Sequence, residues 1–581
     1  MINEKDIVRL GNLKPFRDLP TYPDFRSMVN GCADLYREDD AFIVKVKRAT
    51  KTEPAQYVKH SYLDVKRDVE NLALGLIKLG LKDKRVAVTG KNSYEWLITY
   101  FAQQSGVGII VPLDKDLPLE ELTFSMKKAE VSAIVFDKER EENVRKAIAE
   151  PELKDVKMIA VNETEGAVSF YDVIRMGESA TVEERNALLA TPIDGNALSI
   201  ILFTSGTSGL AKAVMLTQQN VISNCKDAAD CEDIRRGDRN IAFLPYHHTL
   251  GATGQLALFT VGSPTVYCDG LKYIQQNLKE YEVAVFICVP LIIESIYKKI
   301  MATIEKQGKM ATFKKGMKIS NFLMKFGIDI RRKLFKDIHE QLGGHIRYVI
   351  SGASPLDPVV AEVYPAIGIN VVQGYGMTET APILAVEGLG QTEAGTVGYA
   401  LPRTEVAILN PDKDGVGEVI GRGPGVMLGY YNDPVETAKI LEEDGWIHTG
   451  DLGMISEDKH MLKICGRSKN VIVLKNGKNV YPEELETLVA NLPYVKECMV
   501  YGEEKTGRNN VDDMVIVLRL VYDSESFPGK DISEIQKEVD SDIEKINATM
   551  PAYKRIFRTY LTTVEMEKTT TGKVKRYKQV K

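Results

Sequence analysis

The sequence lacks several features that would assign a class at once. No apolar run approaches the roughly 18 residues that a membrane-spanning helix requires. No basic–apolar–small pattern opens it, so no secretory leader is expected. The seven cysteines (Cys32, Cys225, Cys231, Cys268, Cys288, Cys465 and Cys498) include no C-x-x-C pair, and their number is odd. That argues against a zinc site or a disulfide framework and for reduced thiols in a cytoplasm. Basic residues are not in excess: the formal net charge is −6, which excludes nucleic acid as a partner of the chain as a whole. There is no internal repeat and no low-complexity segment.

What is present is ordinary for a globular protein, with 44% hydrophobic and 27% charged residues in 581. That length is too great for one hydrophobic core and implies two to four domains. Through about residue 460, short β-rich runs alternate with helical patterns. The runs include RVAVTG (85–90), GVGIIVPL (106–113), SAIVFD (132–137), SIILFTSG (199–206), NIAFLP (240–245), VAVFICVP (283–290) and IRYVISG (346–352); SYLDVKRDVENLALGLIKLG (61–80) is an amphipathic helix between two of them. Such alternation predicts βαβ units and mostly parallel sheets. The Gly- and Pro-rich stretch at 395–465 predicts a small antiparallel or barrel-like piece, and an α+β module follows from about 470. Residues 303–340 are basic and interleaved with Phe, Leu, Ile and Met. They fit either a helical pair on an anionic membrane surface or an excursion whose apolar face packs on the body of the protein.

The stretch LFTSGTSGLAKAVMLT (202–217) carries the first chemical signal. Glycines allow backbone N–H groups to converge, hydroxyls add hydrogen-bonding groups, and Lys212 adds positive charge, the ingredients of a phosphate loop. It is not a P-loop: the nearest glycine precedes the lysine by three positions, and Ala213 follows it in place of Ser or Thr. Four further segments accompany it: QGYGMTET (373–380), WIHTGDLG (446–453), GRSKNVIVLKNGKNVYPEELE (466–486) and TTTGKVKR (569–576).

Together these five segments, in this order, resemble the acyl-adenylate-forming superfamily, which includes acyl- and aryl-CoA ligases and the adenylation domains of peptide synthetases. The resemblance covers nearly the whole chain. It implies an α/β fold with a large N-terminal domain (1–466) of two βα-layered subdomains plus a small β-barrel, a hinge at 467–469 centred on Lys469, and a small mobile α+β C-terminal domain (470–581). It implies attack of a carboxylate on the α-phosphorus of ATP, with Mg²⁺, followed by transfer of the acyl group to a thiol, usually that of coenzyme A.

The same resemblance assigns roles. Thr204, Ser205, Gly206, Thr207, Ser208, Gly209 and Lys212 would wrap the β- and γ-phosphates. Gly374, Tyr375 and Gly376 would form the adenine slot, with Gly352, Ala353 and Ser354 on its far side. Thr378 would bond the α-phosphate and Glu379 would hold Mg²⁺, a hard cation that takes oxygen ligands. Asp451 would accept both ribose hydroxyls, and Arg467 would lie near the ribose and phosphate. Lys573 would meet the α-phosphate and the incoming carboxylate, and Gly477 would flank the pantetheine channel. Two departures stand out: Ala211-Lys212-Ala213 where the family commonly has Pro-Lys-Gly, and Glu567-Lys568-Thr569 where it has Pro-Lys-Thr.

FLPYHHTLG (243–251) matches the segment bordering the acyl pocket, with His248 beside the expected carboxylate; a satisfied core histidine is the alternative for His247 and His248 alike. No Asp occurs between Tyr246 and Leu250, which disfavours a free amino acid as substrate. The insertion at 303–340 resembles the long-chain fatty acid branch, so a fatty acid is the expected substrate, and a cytoplasmic enzyme touching the inner face of a membrane is compatible with it. No carrier domain follows Lys581, so the acceptor is expected from outside: coenzyme A first, or an acyl carrier protein, whose acidic helices would suit the basic C-terminal tail.

Overall fold

The computed structural model describes residues 2–50, 52–204, 211–474, 478–506, 512–568 and 574–576. Two large sheets dominate. The first runs in the order Gly429–Tyr430, Lys212–Thr217, Leu198–Thr204, Gly108–Leu113, Lys84–Thr89, Ala133–Phe136, Lys157–Ala160, Val168–Ser169. Its central pairings are parallel, and antiparallel strands close it only at the Lys212 side. The second runs Tyr399–Ala400, Ile383–Val386, Asn370–Gly376, Tyr348–Gly352, Val285–Cys288, Asn240–Ala242, Thr265–Tyr267, Asp40–Lys47, Gln56–Ser61, again parallel at its centre.

Helices fill the space between and outside these sheets. The largest core joins inward residues of the first sheet (Val86, Val88, Ile110) to those of the second (Val285, Tyr348, Val372) through Val69, Phe101, Val221 and Leu256 of intervening helices. Separate cores cover the outer faces, one around Ile134 and Leu122 and one around Phe286 and Ile296. Strands covered on both faces are continuously apolar, as in AIVF (133–136), where all four residues are buried. Helix starts are written locally. Ser61 and Asp64 form a reciprocal cap on Tyr62–Lys78, and Thr217 and Asn220 do so on Gln218–Cys231.

The region expected to be barrel-like is a five-stranded antiparallel sheet, in the order Ile7–Arg9, Glu405–Leu409, Gly417–Arg422, Ile447–Ile455, Leu462–Arg467. This corrects the barrel reading. Closure requires the two edge strands to pair, and among the described residues the Ile7–Arg9 and Leu462–Arg467 edges do not pair with each other. The C-terminal module is a three-stranded sheet, Val495–Thr506, Asp512–Tyr522 and Arg558–Thr562, with helices Pro482–Ala490 and Ile532–Ala548 on its own core.

The basic insertion divides its two faces. In helix Met310–Met324, Phe313 meets Phe335 edge to face and Ser320 donates to the carbonyl of Ala366, so one face packs on the body. The other face is open: Phe322 is 59% and Phe326 66% exposed, with Ile319 and Ile328 beside them.

Candidate active site

The site residues gather where the parallel strands end. Ligands of open α/β sheets bind at the carboxyl ends of the strands, and Thr204, Gly352 and Gly376 are each the last residue of a strand. One continuous cleft of about 3840 Å³ is lined by these ends and by the C-terminal module.

Tyr375, Asp451 and Arg467 meet from three segments. The Tyr375 hydroxyl donates to Asp451 Oδ2 at 2.7 Å, and Arg467 Nε lies 2.7 Å from Asp451 Oδ1. Antiparallel pairing places Asp451 opposite Arg467 in the small sheet, so register alone makes them neighbours. Asp451 is 6% exposed, and its backbone N–H is held by the Thr449 hydroxyl at 3.0 Å. Burial, then the Asp451 charge, hold the Tyr375 phenol well above its usual range, so it stays a donor.

The Gly374–Gly376 end of its strand folds back onto Ile383–Val386. A side chain at Gly376 would lie 1.8 Å from the carbonyl of Pro382, so only hydrogen fits. The short turn Thr378–Thr380 lies in that reversal, and the Thr380 hydroxyl donates to Pro382 O at 2.6 Å. Glu379 is buried; its Oε1 accepts from the Tyr430 hydroxyl at 2.7 Å, and its carbonyl accepts from Met427 N. A carboxylate at this place is a ligand type that suits Mg²⁺. Gly352 pairs with Gly374 across adjacent strands, and Ala353 follows at φ 74°, turning Ser354 to the surface of the cleft.

Around the expected phosphate loop, Thr204 and Lys212 pair directly as the two ends of an antiparallel hairpin. A P-loop joins a strand to a helix, so this topology agrees with the exclusion made from spacing. Ser205, Gly206, Thr207, Ser208 and Gly209 lie outside the described residues. Lys212 is partly engaged: its Nζ is 2.6 Å from Glu436 Oε2 and 4.7 Å from the centre of the Tyr430 ring. The hydrogen bond from Lys212, with a second from Lys439, draws the Glu436 carboxyl down to about 2.

Lys469 is exposed in the turn Ser468–Asn470 that follows Arg467. Gly477 and Lys573 lie outside the described residues. The neighbours of Lys573 are anchored: Lys568 and Val574 form an antiparallel bridge, Lys568 pairs with Glu497, and Arg576 reaches Glu486 Oε1 at 2.6 Å. Val574, Lys575 and Arg576 line the cleft.

His248 occupies the residue before the helix Thr249–Thr260, and its ring lies 4.2 Å from that of His247. Asp114, absent from the reading of the sequence, completes this group: its Oδ2 is 3.3 Å from His247 Nε2. Asp114 therefore stands beside the 246–250 segment, which carries no aspartate of its own. Asp114 directly follows Gly108–Leu113, so the signal was its place just past a parallel strand. One donor atom each of Asp114, His247 and His248 lies within 4.8 Å of the others. Two imidazoles suit a transition metal and not Mg²⁺. Tyr430, which contacts both Glu379 and Lys212, was also not legible in sequence.

Comparison with known proteins agrees with this architecture. Residues 36–431 match the model of the AMP-binding enzyme family, and residues 469–581 that of the AMP-binding enzyme C-terminal domain. Long-chain-fatty-acid–CoA ligase 1 of Homo sapiens is 27% identical over 475 residues, 76% of this chain and 67% of that protein. The chloroplastic long-chain-fatty-acid–[acyl-carrier-protein] ligase AEE15 of Arabidopsis thaliana is 26% identical over 523 residues, 77% of this chain and 71% of that protein. The chain spans about two-thirds of the length of the long-chain ligases it matches. An anthranilate CoA ligase, AuaEII, solved with anthranoyl-AMP, has the same fold, with a TM-score of 0.75 at 18% identity over 97% of each chain. With more than half its length matched and described residues of the motifs lining one cleft, the chain belongs to the AMP-binding enzyme family, within the acyl-adenylate-forming superfamily.

Proposed function

We propose that the protein activates a medium- to long-chain fatty acid with ATP and transfers it to coenzyme A, giving acyl-CoA, AMP and pyrophosphate. The observation that carries this reading is the contact of Tyr375, Asp451 and Arg467 on the cleft wall. A stacking phenol beside a carboxylate that can take two hydroxyls is a nucleoside site.

In the first step a carboxylate oxygen bonds to the α-phosphorus and the bond to the pyrophosphate oxygen breaks. Two anions must meet, so the site's work is to neutralise and orient. Thr378 and Lys573 act at the α-phosphate, Lys212 and the 204–209 hydroxyls at the outer phosphates, and His248 beside the acid. Gly352, Ala353, Ser354, Gly374 and Gly376 shape the nucleotide slot. Glu379 would hold Mg²⁺, which would supply charge neutralisation when bound. In the second step the thiol sulfur bonds to the acyl carbon and the bond to AMP breaks. Residues 1–466 form the nucleotide and acyl domain and 470–581 a module that turns about Lys469 between the steps, bringing Gly477 to the thiol channel.

The experiment is pyrophosphate release with Mg²⁺-ATP across acids of graded chain length and aromatic acids. Release with fatty acids is expected; release with aromatic acids alone would refute the assignment. An acyl carrier protein as acceptor is the second reading, supported by the carrier-protein ligase among the relatives. Comparing coenzyme A with holo-carrier protein separates the two.

The protein works against the cytoplasmic face of a membrane, through the exposed side of Met310–Met324. Phe322 and Phe326 stand among Lys315, Lys318 and Lys325, apolar wedges with cations around them. Replacing both Phe322 and Phe326 by serine is expected to lower co-sedimentation with phosphatidylglycerol vesicles at least ten-fold without changing turnover of a short, soluble acid. Undiminished vesicle binding would remove this helix from the membrane.

A further inference from the structure

Behind the histidines the cleft continues between the second sheet and two helices. Ala228 of Gln218–Cys231, Gly254 and Ala257 of Thr249–Thr260, and Ile287 and Ile350 of the sheet line it. Small residues let the helix Thr249–Thr260 approach the sheet closely: a side chain at Gly254 would meet Ile287 Cδ1 at 2.9 Å. These residues are apolar and suit an acyl chain.

Glu232, one helical turn beyond Ala228, also lines the cleft. It is 2% exposed. Its Oε2 accepts the Tyr348 hydroxyl at 2.5 Å, whereas its Oε1 is buried without a protein partner. Tyr348 opens the strand whose last residue is Gly352, at the nucleotide end. Four residues of strand put Tyr348, the partner of Glu232, about 13 Å from Gly352. The Tyr348 bond fixes the carboxyl, so Oε1 has a set direction.

A buried polar atom left without a partner costs about 1–3 kcal/mol, and a ligand that bonds it recovers this. We propose that Glu232 selects acids whose tail carries an oxygen, a hydroxyl or carbonyl, that hydrogen-bonds its free carboxyl oxygen. This rests on the acid-activating reading above and names the substrate class within it. Burial pushes the Glu232 carboxyl up to about 8, so at neutral pH it retains a proton to donate. A tail hydroxyl or carbonyl can accept that proton, whereas an unsubstituted chain leaves the group unpaired.

The test compares decanoic, 10-hydroxydecanoic and 10-aminodecanoic acids with the full-length enzyme and its E232Q and E232L variants. Binding of each acid is read by calorimetry without ATP, and turnover separately by pyrophosphate release. The wild type should bind the hydroxy acid about 10- to 100-fold more tightly than decanoic acid. E232Q, whose amide both donates and accepts, should keep a preference, and E232L should abolish or invert it. Melting temperatures identify any variant that fails to fold, and E232Q then carries the comparison with the wild type. Equal wild-type binding of decanoic and hydroxydecanoic acids, an unchanged ratio in folded E232L, or tightest binding of the amino acid would each overturn the proposal. A Glu232-dependent preference without pyrophosphate release from any acid would leave this inference standing and remove the activity.

Discussion

Replacing Asp451 by alanine is expected to lower kcat/KM for ATP by about 10²–10⁴-fold without unfolding the protein. Hydrogen bonds to a charged group are worth about 1.5–3 kcal/mol each, and the proposed role has Asp451 receive two from the ribose. Their joint loss, at a factor of ten per 1.4 kcal/mol, gives that range. The carboxylate sits in the middle of the strand Ile447–Ile455, where the backbone ladder and the Thr449 hydroxyl hold its position without help from the side chain. Truncation therefore removes acceptors and leaves their frame. The Arg467 side chain is half exposed, and solvent can take its charge when the partner goes. Tyr375→Phe is the companion measurement: it deletes the 2.7 Å bond to Asp451 and keeps the ring, so a much smaller loss is expected. The check is ATP–pyrophosphate exchange over a range of ATP concentrations, with melting temperature alongside. An unchanged KM for ATP in D451A would place the ribose elsewhere.

The second large effect is confined to one half-reaction. Lys573→Ala is expected to slow adenylation by about 10²–10³-fold, the usual consequence of losing one donor aimed at developing charge. It should spare thioester formation from supplied acyl-AMP. Lys573 lies outside the described residues, but both sides of it are tied to the C-terminal module, through Lys568 on Glu497 and Arg576 on Glu486. That module also lines the cleft through Val574, Lys575 and Arg576. Lys575→Ala is the control for charge alone. Its Nζ pairs with Glu567 at 3.3 Å in a partly exposed ion pair, a kind worth little. Single-turnover measurements of each step separate the outcomes, and equal loss in both steps for K573A would contradict a module that serves the two steps in different positions.

Local signals carried much of this. Short apolar runs such as SAIVFD placed the central strands, and the amphipathic pattern of 61–80 placed the helix Tyr62–Lys78, because those preferences act within a few residues. The motif order pointed to the family before any contact was known, although Gly376 of the second motif is also required by the close approach of the Pro382 carbonyl. The open edge of the five-stranded sheet was not legible: antiparallel strands have the same alternation in an open sheet as in a barrel, and only the pairing of the outermost strands differs.

The sequence by itself determined the family, the strand-and-helix alternation, and which residue types a nucleotide and an acid would need. The tertiary structure alone decided the partnerships: Asp114 with His247, Tyr430 with Glu379, Glu436 with Lys212, and Glu232 with Tyr348. The partners in the first three pairs are 133, 51 and 224 positions apart. No short-range preference links residues so far apart, and it is the packing of two sheets about shared helices that brings them together.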